Sequence, residues 1–233
     1  MATPAHDERA ERRSLSRDRW DELAPLTGAA AVVLWVIGAF LLFQDEPESD
    51  AAPAEFSQYY DENSGAILVG TFIFGLGTLL FLWFVSVLRE HLQATGARGT
   101  RVPGPVFAAG IVTGSMLLGM MAPHAAAAIQ IEDGDAALSG EAAEALWHLS
   151  TGFFFSAELA AALFVIATAV AVLRTGILPR WLAWVSLALA LLLLIPPIGW
   201  LGLIFGLPLW TLLVSFLLWQ RASRGHDAEP ASA

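Results

Sequence analysis

The chain has 233 residues, of which 56% are hydrophobic and only 15% charged, and its mean hydropathy is +0.61. This composition excludes an ordinary soluble domain, and the absence of cysteine excludes disulfides and thiolate metal sites. The net charge of −10 argues against nucleic acid as a partner, because phosphate binding needs a basic surface.

The first 24 residues mix arginine with acids and lack a sustained apolar pattern, which indicates a polar tail over 1–24. Its end, from Ser16 to Leu26, fits a short helix lying on the membrane. The next segment, 26–43, is a run of 18 uncharged residues, enough to cross a hydrocarbon core of about 30 Å. A cleaved signal peptide is the alternative, but its apolar core is usually only about 7–15 residues long. We therefore expect an uncleaved first span.

Five more apolar segments follow, and together they predict an all-α transmembrane bundle. Acidic, solvated loops are expected at 44–64 and 132–144, and Pro123 is expected to kink the third helix. Pro196 and Pro197 predict a tight reversal, because neither residue can donate a backbone hydrogen bond. The six predicted spans are 26–43, 65–88, 105–131, 147–173, 179–195 and 198–219, with a polar tail at 221–233.

The distribution of charge predicts the orientation of these six spans. All twelve basic residues are arginines, and all fall in the two tails or in the second and fourth loops. The first and third loops hold twelve acids and no arginine. The positive-inside rule therefore predicts that both termini lie in the cytoplasm. The use of arginine alone, together with abundant alanine, indicates a GC-rich bacterium, so we expect the bacterial inner membrane as the location. Trp147 and Trp200 fall at predicted outer edges, where tryptophan anchors a bundle in lipid.

Glycines on the predicted helices offer two interpretations. Lipid supplies no hydrophobic force between helices, so close packing of small residues holds them together. Such faces pack against helices of the same chain, or they contact a second copy of the chain or another membrane protein. The motif alone does not distinguish these interpretations. The glycines concerned are Gly110 and Gly114 in the third helix, Gly202 and Gly206 in the sixth, and Gly70, Gly75 and Gly77 in the second.

Glu158 is the one ionisable residue deep within a predicted span. Counting from Trp147 and Arg174 places it close to the midplane. Because an ionised carboxylate is costly there, we expect it to face the bundle interior and to be protonated unless it has a cationic or wet partner. Glu158 either fixes the helix register through a hydrogen bond to a neighbouring group, or binds water, an ion or a ligand head group at the depth of Thr78, Thr113 and Ser115.

His124 and His148 are the remaining candidate functional residues. Each lies near the outer end of a predicted helix, and the short loop between these helices makes them antiparallel neighbours. One interpretation is that the two imidazoles bind a metal ion or are the axial ligands of a haem. Two ligands are too few for a closed zinc site, however, and the favoured interpretation is that both histidines are interfacial polar groups. We therefore assign no metal and no cofactor.

The stretch from Trp20 to Arg221 resembles a family of actinobacterial six-helix integral membrane proteins of unknown function. Three segments carry the resemblance: Phe56 to Gly65 (FSQYYDENSG), Phe81 to Arg89 (FLWFVSVLR) and Leu173 to Trp184 (LRTGILPRWLAW). The resemblance implies the six-helix topology and supplies no activity or site residues.

Known catalytic motifs, including a nucleophile elbow, a zinc-protease motif and a P-loop, do not occur in the sequence. The leading interpretation is a non-enzymatic accessory or interaction component that binds itself or another membrane protein. The second interpretation is a small secondary transporter or channel that uses Glu158. The third is a membrane redox or metal protein built on His124 and His148.

Overall fold

The computed structural model describes residues 23–94, 103–134 and 137–227, and all regular structure within these ranges is helical. The predicted tails up to residue 22 and from residue 228 lie outside these ranges, as do residues 95–102 of the predicted second loop. A 3-10 turn, Ala24–Leu26, leads into the first helix. The helices are α1 Thr27–Leu42, α2 Pro53–Ala94, α3 Pro103–Asp133, α4 Gly140–Thr175, α5 Arg180–Leu193, and α6, which comprises Gly199–Leu201, a π-helical turn Gly202–Gly206 and Leu207–Asp227.

Five of these helices are long and apolar enough to cross a membrane. The exception is α5, whose 14 residues extend over only about 21 Å at 1.5 Å per residue. By contrast, the 42 residues of α2 extend over about 63 Å, twice the thickness of the hydrocarbon core. The described residues therefore form a helical bundle with helices of unequal length, and its apolar helices are compatible with a multi-pass membrane protein.

The predicted boundaries were wrong at two acidic segments. Helix α2 begins at Pro53 rather than 65, so the second half of the predicted loop 44–64 is helical. Phe56, Tyr59 and Tyr60 recur at helical spacing between the acids and are buried against the bundle. Helix α4 begins at Gly140 rather than 147, because Ser139 caps it by accepting a hydrogen bond from the Ala142 amide. At the other end of the chain, α6 continues to Asp227, beyond its predicted end at 219.

Glycines bring α1 and α2 into backbone contact. A Cβ atom added to Gly38 would lie 2.7 Å from the Phe74 nitrogen and 2.8 Å from the Gly70 carbonyl oxygen. One added to Gly77 would lie 2.9 Å from the Ala31 carbonyl oxygen. The other motif glycines also face helices of the same chain: Gly110 and Gly114 face Val85 and Leu82, and Gly202 and Gly206 face Leu193 and Leu189. These faces are occupied within the chain, and a homo-oligomer through them stays a prediction.

Two proline positions shape the last two helices. The predicted reversal at Pro196 and Pro197 is confirmed, because residues 194–198 form the turn between α5 and α6. Pro208 near the start of the last α-helical segment cannot donate to the Ile204 carbonyl one turn earlier. The chain instead forms the π-helical turn, in which the Leu207 amide donates to the Gly202 carbonyl. Pro123 lies inside the continuous helix α3.

Candidate functional site

Helices α2, α3 and α4 extend together at one end of the molecule. We call this region the acidic end; it comprises the loop 43–52, the first turns of α2, the last turns of α3 and the first turns of α4. Phe56 packs against Trp147 with 5.3 Å between ring centroids. Ser64 donates a hydrogen bond of 2.6 Å to Glu132, which joins α2 to α3. Helices therefore extend into both predicted acidic loops and pack against each other there, while 43–52 remains a loop.

A cavity of about 600 Å³ runs from the acidic end into the bundle, which is a typical volume for a small-molecule site. It follows two turns of α1, about 12 Å, from Trp35 to Phe43. Its wall is mostly apolar, and its residues come from α1, α2, α3, α4, α6 and the first loop. They are Trp35, Val36, Ala39, Phe43, Glu46, Phe74, Leu117, Met120, His124, Trp147, Ser150, Thr151, Phe154, Leu203, Ile204, Phe205, Leu207 and Pro208.

The deep part of the cavity is apolar and is built around the indole of Trp35. The indole of Trp35 stacks on Phe74 with 6.0 Å between centroids and donates a 3.0 Å hydrogen bond to the Thr78 hydroxyl. Three lining side chains, Val36, Ile204 and Phe205, are about half exposed or more, at 62%, 48% and 56%. They lie on α1 and on the π-helical turn of α6, so the cavity opens sideways between these two helices.

Polar groups gather at the other end of the cavity. The Trp147 indole donates a 2.7 Å hydrogen bond to Glu46 Oε1, which ties the first loop to α4. The Ser150 hydroxyl donates to the Met120 carbonyl at 2.8 Å, and the Thr151 hydroxyl donates to the Trp147 carbonyl at 3.1 Å. The hydroxyl oxygens keep lone pairs that can accept further hydrogen bonds.

Glu46 is the acidic group at this polar end. Its side chain reaches the surface, but the surrounding protein removes part of its water, which raises the pKa of the carboxyl. The hydrogen bond from Trp147 acts in the opposite direction and lowers the pKa. The residues that line the cavity include no arginine, so its polar end carries one carboxyl and one imidazole.

The structure places the two candidate histidines in different surroundings. His124 is buried and lines the cavity, and its Nδ1 lies 2.9 Å from the Tyr60 hydroxyl. His148 is half exposed, lies 3.7 Å from a Glu144 carboxylate oxygen, and packs against Phe56. Within the described ranges, no group of three or more His, Asp or Glu is placed to hold a metal ion.

Glu158 is buried, as expected, but it is not among the residues that line the cavity. Its carboxyl lies beside Gly199, at the turn between α5 and α6. The carboxyl thus lies at the tip of the short α5–α6 hairpin, and its position at the membrane midplane stays a prediction. Thr78 and Thr113, which were expected at its depth, donate to the Phe74 and Ala109 carbonyls.

Sequence reasoning missed the polar end of the cavity. Glu46 is one of seven acids between residues 44 and 64, and nothing in its immediate sequence distinguishes it. Trp147 was interpreted as a lipid anchor, whereas its indole bonds Glu46 and lines the cavity. The available signal is the spacing of Trp147, Ser150, Thr151 and Phe154, which places them on one helical face.

No family model, curated protein or solved structure matches the chain. The resemblance to an actinobacterial six-helix family stays a prediction.

Proposed function

We propose that this chain is a non-enzymatic multi-pass protein of the bacterial cell membrane that binds one amphipathic, lipophilic molecule in the cavity. The observation that carries the proposal is the cavity itself, with an apolar deep part, a polar end and a lateral opening between α1 and α6. A few polar groups converging on an apolar pocket are the usual form of a small-molecule site.

The arrangement favours a particular orientation of the ligand. Its apolar body lies against Trp35, Phe74 and the π-helical turn, and enters from the lipid through the lateral opening. Its head group lies at the acidic end, where hydroxyl oxygens accept hydrogen bonds and Glu46 supplies a negative charge when ionised. A neutral or cationic head group suits this end, and an anionic one is repelled.

The proposed orientation has six spans with both termini in the cytoplasm. Near the helix ends opposite the acidic end lie Arg89, Arg174, Arg180, Arg221 and Arg224. Positive charge on the cytoplasmic side supports an acidic end that faces outward. In this proposal the short helix α5 spans the core with the help of the turn that follows it.

The proposal is tested with two probes that differ in one charged group: N-phenyl-1-naphthylamine, which is neutral, and 1-anilinonaphthalene-8-sulfonate, which is anionic. Each is titrated into the full chain in phosphatidylcholine nanodiscs, and energy transfer from tryptophan is recorded. We expect the neutral probe to bind more tightly than the anionic probe.

A cavity-filling variant separates binding in the cavity from partition into lipid. Ala39→Phe places a ring inside the cavity, whereas the matched control Ala30→Phe places the same ring on an exposed position of α1. We expect Ala39→Phe to weaken binding of the neutral probe about tenfold, which corresponds to about 1.4 kcal/mol. Equal binding by the two variants would refute the proposal.

A further inference from the structure

Glu158 has a carboxyl whose hydrogen-bonding capacity is not used. The side chain is only 4% exposed, and Oε1 has no hydrogen-bond partner among the described residues. A buried polar atom without a partner is rare, since it loses its bonds to water and gains nothing in return. Such an atom in a membrane protein points to a ligand.

A backbone oxygen without a helical donor lies next to this carboxyl. In a continuous helix, the Leu193 carbonyl would accept from residue 196 or 197, but both are proline and neither has an N–H. The carbonyl also belongs to the last turn of α5, where the partial negative charge of the helix dipole is concentrated. This oxygen is therefore suited to a cation or to a proton donor.

The carboxyl and the carbonyl meet at Gly199, the first residue of α6. A Cβ atom added to Gly199 would lie 3.0 Å from Glu158 Oε2 and 3.0 Å from the Leu193 carbonyl oxygen. Two oxygen atoms from different helices thus approach one point, and the missing side chain of glycine makes this approach sterically allowed. Oxygen atoms at broken helix ends bind Na⁺ and protons in membrane proteins.

Few charged groups of the described residues lie near this point. On α5 there is Arg180, and on α6 there are Arg221, Arg224, His226 and Asp227, all at the ends of their helices far from this point. On α4 the flanking ionisable residues are His148 and Arg174, which lie more than two turns from Glu158. On the neighbouring helix α3 they are His124, bonded to Tyr60, and the acids Glu132 and Asp133 at its end.

We propose that Glu158, with the Leu193 carbonyl, forms a binding site for a small hard cation, either a proton or an alkali ion, at the tip of the α5–α6 hairpin. The turn residues Pro196, Pro197 and Ile198, which lie between Leu193 and Gly199 in the chain, are exposed at the surface of the bundle. The site is separate from the cavity and does not depend on what the cavity binds.

Dicyclohexylcarbodiimide tests the site directly, because it reacts with protonated carboxyls in apolar surroundings. The acid proton passes to a carbodiimide nitrogen, and the carboxylate oxygen bonds to the central carbon. The full chain in phosphatidylcholine nanodiscs is treated across pH 5 to 8, and adducts are located by peptide mass spectrometry. We expect an adduct on Glu158 that forms more slowly as the pH rises and that is lost in Glu158→Gln.

The two cations are distinguished by adding sodium chloride at constant pH, with choline chloride as the ionic-strength control. Slower labelling in sodium alone identifies an alkali-ion site, and equal rates in both salts identify a proton site. Absence of an adduct on Glu158 at every pH, or a labelling rate that does not change with pH, would overturn the proposal.

A second pair of variants tests the contribution of the turn while keeping Glu158. Gly199→Ala places a methyl group against both oxygens, and Gly152→Ala places one where no atom lies within 4 Å. We expect a several-fold change in the labelling rate for Gly199→Ala and none for Gly152→Ala. Equal rates in the two variants would show that the carboxyl acts without the turn and would overturn the proposed site.

Discussion

Trp147 Nε1 donates a 2.7 Å hydrogen bond to Glu46 Oε1 and thereby joins residues 101 positions apart in the chain. The bond connects the first loop to α4 at the polar end of the cavity. Because the loop follows α1 directly, it also holds Phe43 against His124, with 6.1 Å between their rings. This hydrogen bond thus fixes the first loop beside the polar end of the cavity.

Glu46→Gln is expected to change the pH dependence of stability. Partial burial raises the pKa of Glu46 in the folded chain, so the folded state binds this proton more tightly than the unfolded state. The contribution of Glu46 to stability is therefore fully present below the ordinary glutamate pKa of about 4.3, and it is lost as the pH rises through the raised pKa. Glutamine keeps an oxygen that accepts the Trp147 hydrogen bond, but it cannot ionise. The stability of the variant therefore does not fall with rising pH through this group.

The measurement is the thermal unfolding midpoint of the purified chain and of Glu46→Gln in one mild detergent, from pH 4.5 to 8. We expect the variant to gain stability relative to the parent at neutral pH, and the gain to shrink as the pH falls. A difference between the two proteins that is constant across this range would contradict the assignment.

Tyr60→Phe is expected to destabilise the chain by about 1–3 kcal/mol, because it leaves a buried His124 nitrogen without its partner. A double-mutant cycle with His124→Phe isolates the pair from the packing of each ring. Unfolding in a denaturing detergent gives the four stabilities. If the two single losses add fully in the double variant, the hydrogen bond does not couple these residues.

Hydropathy was sufficient to place α1, α3 and α5 to within about two residues. It failed at α2 and α4, because acidic side chains lower the mean hydropathy of helices that extend past the hydrocarbon core. Phe56 and Tyr60 lie one helical turn apart among these acids, and this pattern of period 3.6 is the signal that sequence reasoning passed over.

The cavity could not be predicted in the same way. Its wall combines residues from α1, α2, α3, α4 and α6, and their relative rotation depends on side-chain packing rather than on the period of any one helix. Pro208 is visible in the sequence, but the five-residue turn that carries Phe205 to the cavity depends on how α6 relieves the missing hydrogen bond. Glu158 was recognised as unusual, whereas its neighbour Gly199 was not.

Gly38→Ala is expected to destabilise the bundle by about 1–3 kcal/mol, the usual cost of overpacking. The new methyl group would meet the backbone of α2 at 2.7–2.8 Å, and two backbones cannot separate without loss of neighbouring contacts. Gly75→Ala is the matched control on α2, because the nearest atom to its new methyl group is a Leu118 methyl at 3.9 Å. Equal midpoints for the two variants would show that α1 and α2 are not held by this backbone contact.

Single cysteines test the proposed orientation cleanly, because the chain has no cysteine of its own. Glu48→Cys lies in the exposed first loop, and Thr175→Cys lies at the end of α4, beside Arg174. With both termini in the cytoplasm, a membrane-impermeant maleimide added to spheroplasts labels Glu48→Cys and reaches Thr175→Cys only after lysis. Because the two positions lie at opposite ends of the bundle, the reverse pattern would invert the topology, and labelling of both before lysis would rule out a membrane-spanning α4.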